Sequence, residues 1–150
     1  MVTVRKDEDT MEVFYHDPSS GMMWKSFFPR GYKDKNSPKL LRPEPPAESL
    51  NEQIDMDLGS GEINNAIGLG IELSGQPSIW TEVLDVLDAH RKEYSRKMIR
   101  TFLDNLGVSD PNLIFNELGK SPEDTGLSFE DLQTLKKKAR KIRVKRFFGL

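Results

Sequence analysis

The sequence predicts an α+β fold, mainly α, in which a small N-terminal β-hairpin or sheet precedes a bundle of about six helices in antiparallel pairs. Three observations predict it. Residues up to Phe28 mix alternating valines with aromatic clusters that suit a pleated surface. Gly31, Pro38, Pro43, Pro45 and Pro46 then crowd one short stretch. From Ser49 onward the apolar residues recur every three to four positions.

Val2 and Val4 alternate with polar neighbours, and Met11-Glu12-Val13-Phe14-Tyr15 is rich in strand formers. Asp17-Pro18-Ser19-Ser20-Gly21 supplies turn chemistry, and Met22 to Phe28 reads as the returning strand. A hairpin of this size is not stable alone and must pack on a third strand or on helices. Trp24, Phe27, Phe28 and Tyr32 are expected mostly in that core, with one or two exposed beside the connector.

Residues 31–46 form a proline-rich connector, extended at Pro43-Glu44-Pro45-Pro46 because each proline restricts the residue before it. The boundaries are therefore a β-hairpin element over 1–30, the connector over 31–46, and a helical domain over 47–150 that forms one unit with 1–30.

Ser49 and Glu52 have capping-box spacing ahead of Leu50, Ile54 and Leu58, and Gly59-Ser60-Gly61 breaks that helix. Ile63, Ala66, Ile67, Gly70 and Ile71 form the apolar stripe of a second helix, ended by Gly75 and Pro77. Gly68 and Gly70 fall inside that stripe, which favours close approach of another element over a nucleotide loop. Ile79, Val83, Val86 and Leu87 mark a third helix. Tyr94, Met98, Phe102 and Leu106 mark a fourth, with Gly107 as its C′ residue. Asp110-Pro111 opens a fifth through Leu118, and Ser128 with Asp131 caps a last one carrying Leu132, Leu135, Ala139 and Ile142. The first helix pairs suit a HEAT-like stack, although three full repeats are not visible.

Catalytic chemistry has little to draw on. There is no cysteine, which removes disulfides, thiolate catalysis and the usual zinc-finger ligand sets, and which fits a reducing compartment. His16 and His90 are isolated, and no carboxylate pair has a complete hard-cation ligand set. The N-terminus has no apolar leader stretch and no segment reaches a membrane-spanning length, so the expected location is cytoplasmic. The chain is expected to bind a partner, with no enzymatic activity, cofactor, metal or membrane span.

Charge says more. Residues 1–42 carry 8 Lys/Arg against 6 Asp/Glu, residues 43–90 carry 10 Asp/Glu and no cation, and residues 91–150 carry 14 Lys/Arg against 8 Asp/Glu. The acidic block suggests a surface for a basic protein, with Glu44, Glu48, Glu52, Asp55, Asp57 and Glu62 as contacts and Trp24 and Tyr32 beside them. The alternative is a nucleic-acid-associated accessory protein using Lys136, Lys137, Lys138, Arg140, Lys141, Arg143, Lys145 and Arg146. That run could also lie on an anionic membrane through Phe147, Phe148 and Leu150. Its apolar face favours a third arrangement, a helix folded back on the core with its charges toward the acidic block.

Three stretches carry a resemblance. Trp24-Lys25-Ser26-Phe27-Phe28-Pro29, then Ser37-Pro38-Lys39-Leu40-Leu41-Arg42-Pro43, then Gly68-Leu69-Gly70-Ile71-Glu72-Leu73-Ser74 look like small immunity proteins encoded beside bacterial polymorphic toxins. The likeness covers about residues 20–90. It departs at Gly31-Tyr32-Lys33-Asp34-Lys35-Asn36, where that family has a histidine and a glycine run. The resemblance implies a bacterial, non-enzymatic inhibitor that occupies a cognate toxin.

Overall fold

A computed structural model describes residues 1–150 apart from Arg30, Asn36, Pro38 and Pro46, so those two connector prolines lie outside the described residues. Four strands form an antiparallel meander in the order β1 (Val2–Lys6), β2 (Val13–His16), β3 (Met23–Phe27) and β4 (Leu40–Pro43). Six α-helices follow: α1 (Leu50–Gly59), α2 (Ile63–Ser74), α3 (Trp80–His90), α4 (Arg96–Leu106), α5 (Pro111–Leu118) and α6 (Phe129–Phe147). The predicted α+β, mainly α architecture is the one observed.

The β2–β3 turn is built as its residues suggest. Asp17 accepts from the Ser19 amide and from the hydroxyls of Ser19 and Ser20, and Gly21 takes φ of +73°. Met11, expected in the strand, sits in the β1–β2 turn at φ +58°, and the strand starts at Val13.

The larger departure is β4, which lies inside the stretch expected to be only a connector. Leu40-Leu41-Arg42-Pro43 pairs with β3 in the register Phe27 to Leu40, Lys25 to Arg42 and Trp24 to Pro43. A proline fits here because β4 is an edge strand and Pro43 is its last residue. The Glu44 amide still donates to the Met23 carbonyl at 2.9 Å. The prolines that signal a boundary mark where the sheet stops, not where it is left.

One sheet face carries Phe14, Lys25, Phe27, Leu40 and Arg42, as period-two alternation requires. Arg5 lies 4.2 Å from the Phe14 ring centre, and Lys25 and Arg42 lie 5.6 Å and 4.6 Å from that of Phe27. Leu40 and Arg42 from this face meet α2: Leu40 at Gly68, and Arg42 in an ion pair with Glu72.

Helix α2 is a middle layer. A Cβ on Gly68 would stand 2.9 Å from Leu40 Cδ1. A Cβ on Gly70 would stand 2.7 Å from Asn105 Cβ and 2.8 Å from the Phe102 carbonyl oxygen of α4. Residues two apart on a helix point to nearly opposite sides, about 200° apart, so the two glycines open opposite flanks. The most extensive helix contact is accordingly between α2 and α4, and α6 lies against both α3 and α4.

Trp80 opens α3, is fully buried, and donates from Nε1 to the Leu73 carbonyl at 3.0 Å. Its ring tilts against Phe115 of α5 at 5.9 Å. Gly107 ends α4 at φ +78°, as its C′ position predicts. Ser128 and Asp131 form a complete capping box on α6, whose buried residues are Leu132, Leu135, Ala139 and Ile142.

Replacing Gly70 tests the middle-layer arrangement. Alanine gains about 1 kcal/mol of helix propensity, yet the clash here is with α4 backbone, which cannot rotate away. We expect Gly70→Ala to lower unfolding free energy by about 1–3 kcal/mol in urea titrations. Gly68→Ala, which meets only the end of a leucine side chain, should cost less. Equal effects at the two sites, or a stabilised Gly70→Ala, would contradict the packing.

Candidate functional site

The acidic block does not present ten free carboxylates. Glu44 lies 3.8 Å from Lys25, and Glu72 pairs with Arg42. Asp85 pairs with Lys138, and Asp88 sits 3.0 Å from Arg91 and 3.7 Å from Lys145. Asp55, exposed on α1, accepts a hydrogen bond from the Tyr94 hydroxyl at 3.1 Å. Burial and this carboxylate push the Tyr94 hydroxyl well above the ordinary tyrosine range. A block without cations in sequence therefore meets cations in space, from the sheet on one side and from α6 on the other.

Asp57, expected on the exposed acidic face, is buried. It points away from Asp55, as a two-residue separation on a helix demands. It shares a small cleft with Arg42. Burial raises its carboxyl from 3.8 to about 7, the Glu72 carboxylate adds to the rise, and Arg42 opposes it. Asp57 thus belongs to the joint between α1, α2 and β4 and not to a docking face.

Among the predicted acidic contacts, the fold brings Glu44, Glu48 and Glu52 together. They rim a groove of about 450 Å³ between the β2–β3 turn, the exit of β4 and helix α1. Its apolar lining comes from Met22, Met23, Met56, Pro43, Pro45 and Ala47. Met22 and Met56 are each 37% exposed. Met56 falls off the Leu50, Ile54, Leu58 stripe of α1, and this is the sequence signal that it faces outward. Glu48 and Glu52 make no ion pair among the described residues and remain exposed.

The other predicted contacts lie elsewhere. Glu62 is exposed at the N-cap of α2, with its amide bonded to the Ser60 hydroxyl. Trp24 is half-buried on the sheet opposite Pro43, and Tyr32 is exposed in the loop after β3 with Lys33 5.8 Å from its ring.

The basic run is helical and folded back, part of α6, whose Leu132, Leu135, Ala139 and Ile142 are buried in the core. Lys138 and Lys145 reach the acidic block at Asp85 and Asp88, while Arg143 pairs with Asp104 of α4 at 2.6 Å. Arg146 donates to the Tyr94 carbonyl at 2.9 Å. Lys136, Lys137, Arg140 and Lys141 make no ion pair among the described residues. The eight cations therefore divide into four that fasten α6 and four that do not.

Among the described residues no group of three or more His, Cys, Asp or Glu converges as a metal site, and no helix is long and apolar enough to cross a membrane. His16 stands at the end of β2, and His90 Nδ1 lies 3.2 Å from the Glu93 carboxylate. No family model, curated protein or solved structure matches the chain.

The raised Asp57 carboxyl has a signed consequence for stability. Its folded pKa of about 7 exceeds the unfolded value of 3.8, so the folded state holds the extra proton in between. The stability linked to this group is present below pH 3.8 and is lost as pH rises through about 7. Asp57→Asn should remove the dependence and gain on the wild type by roughly 2–4 kcal/mol between pH 4 and pH 8. Urea titrations of both proteins across that range check it; parallel stability curves would show that Asp57 titrates normally.

Proposed function

We propose that this is a non-enzymatic binding protein that captures a basic, partly apolar protein segment in the groove between α1 and the β2–β3 turn. The observation that carries the reading is the convergence of three methionines and three glutamates on one concave surface. Methionine is unbranched and polarizable, so it adapts to varied apolar side chains. Glutamates at the rim attract Lys and Arg and speed encounter. Glu48, just before the N-cap of α1, and Glu52, in its first turn, rim the same groove and can receive the cations of a partner.

The resemblance of residues 20–90 to polymorphic-toxin immunity proteins supports a basic toxin domain as the partner. Its three stretches supply β3, β4 and α2, the scaffold that holds the groove beside α1. Pro38 and Asn36, within and before the second stretch, lie outside the described residues. On this reading inhibition is by occupation, and the protein acts in the cytoplasm where the toxin would otherwise reach its target.

A fluorescein-labelled lysine–leucine amphipathic peptide, about five helical turns long, is a suitable probe for anisotropy titration. Glu48→Lys combined with Glu52→Lys should weaken its binding by about tenfold or more. Met56→Ala should weaken it by about threefold, with Glu62→Lys as a control outside the groove. All four positions are exposed, so the fold should persist. Unchanged affinity in the charge-reversed variant removes the groove from the account.

A further inference from the structure

We infer that the α4–α6 face is a second, independent site that binds single-stranded nucleic acid, with its bases on Phe147 and Phe148 and its phosphates along α6. This goes beyond the acidic groove and shares no residue with it. The face is concave, about 320 Å³, and lined by Arg96, Ile99, Arg100, Val144, Phe147 and Phe148 among others. Phe147 and Phe148 are 62% and 71% exposed, and their rings stand perpendicular at 5.2 Å. Large aromatics so exposed at a helix end are not accounted for by the core.

The pair is held in place. Arg96 donates to the Phe147 carbonyl at 3.2 Å and lies 4.9 Å from the Phe147 ring centre, and Arg91 donates to the Leu150 carbonyl at 3.2 Å. Ordering these rings on binding therefore costs little, because their backbone is already fastened. Arg100 of α4 is exposed at the cavity, and further back along α6 Lys137, Arg140 and Lys141 are exposed as well. The neighbouring acids Asp104 and Asp88 are already countered by Arg143 and Lys145, so they do not cancel these cations.

Lys137 and Lys141 form a short row one helical turn apart, about 5.4 Å, flanked by Arg140, and such a row tracks a linear polyanion. Perpendicular aromatic faces at the end of that row offer stacking to flat bases of any sequence. An acidic peptide would use the cations but has no need of two exposed aromatic rings. An anionic membrane would meet a concave surface where it needs a flat or convex one.

The test uses the full chain and a fluorescein-labelled single-stranded DNA of about 20 nucleotides, titrated by anisotropy at about 50 and 200 mM NaCl. With roughly four phosphates engaged, affinity should fall about 50-fold across that salt range. Phe147→Ala with Phe148→Ala should weaken binding by about tenfold or more and leave the salt response unchanged. Lys137→Ala, Arg140→Ala and Lys141→Ala together should shrink the salt response to roughly threefold. These positions are exposed, and circular dichroism melts will show that each variant is folded. Absence of binding at the lower salt overturns the inference, as does a ring variant that binds like the wild type. Tighter binding to poly-glutamate or to phosphatidylserine vesicles than to the strand would assign the face to that partner instead. Glu48→Lys with Glu52→Lys should leave strand binding intact, so this site and the groove fail separately.

Discussion

Helix α2 approaches its two neighbours closely through glycines, and the rest of the molecule is arranged around that constraint. Gly68 admits Leu40 of the edge strand and Gly70 admits the backbone of α4. Fill the space at Gly70 and α4 must move outward; fill that at Gly68 and the Leu40 side chain must turn aside. The close seat also places the α2 C-terminus over Trp80, whose indole donates to the Leu73 carbonyl alongside the Gln76 amide. Sheet, α2, α4 and α3 are in this way tied through one twelve-residue helix. Two glycines that look unfavourable for a helix are what allow it to be central.

The charges are organised by the same layering. Arg42 crosses from the sheet to Glu72 on α2, with Asp57 buried beside them, so the joint between β and α parts is ionic at its edge and apolar at Leu40. On the far side α6 closes the bundle with Lys138, Arg143 and Lys145 against acids of α3 and α4. Exposed pairs of this kind contribute little each, roughly 0–1 kcal/mol. Their larger effect is on selectivity: they use up half of the basic run and much of the acidic block internally. Among the charges left exposed by this pairing are Glu48 and Glu52 by the methionine groove and Lys137, Arg140 and Lys141 on α6.

Much of the helical fold was legible in the residues. Caps at Ser49 and Ser128, stops at Gly107 and Pro77, and the stripe Leu132, Leu135, Ala139, Ile142 all reflect short-range chemistry that depends on local spacing. β4 was not, because four residues between prolines lack a period long enough to read, and strand identity there comes from pairing with β3. Trp80 escaped notice as a core residue for a related reason: it opens its helix, where periodicity has hardly begun. The acidic contacts were legible only as a composition. Which carboxylates stay exposed depends on long-range pairing, as with Asp85 and Lys138, 53 positions apart. The methionine groove joins residues from the β2–β3 turn and α1, and the single local hint was Met56 standing off its helix's apolar stripe.

The two tryptophans fall on opposite sides of the ionic joint. Trp24 is half-buried on the sheet, while Trp80 is sealed in the bundle against Phe115. Indole emission shifts to the red when the ring meets water, so each residue is a built-in optical reporter of its own layer. A chain in which the sheet peels from α2 before the helices separate would show two spectral steps, the first carried by Trp24 alone. A chain in which Gly68 and Gly70 couple the layers fully would show one. The placement of these rings makes the cooperativity of the whole molecule readable without adding any label.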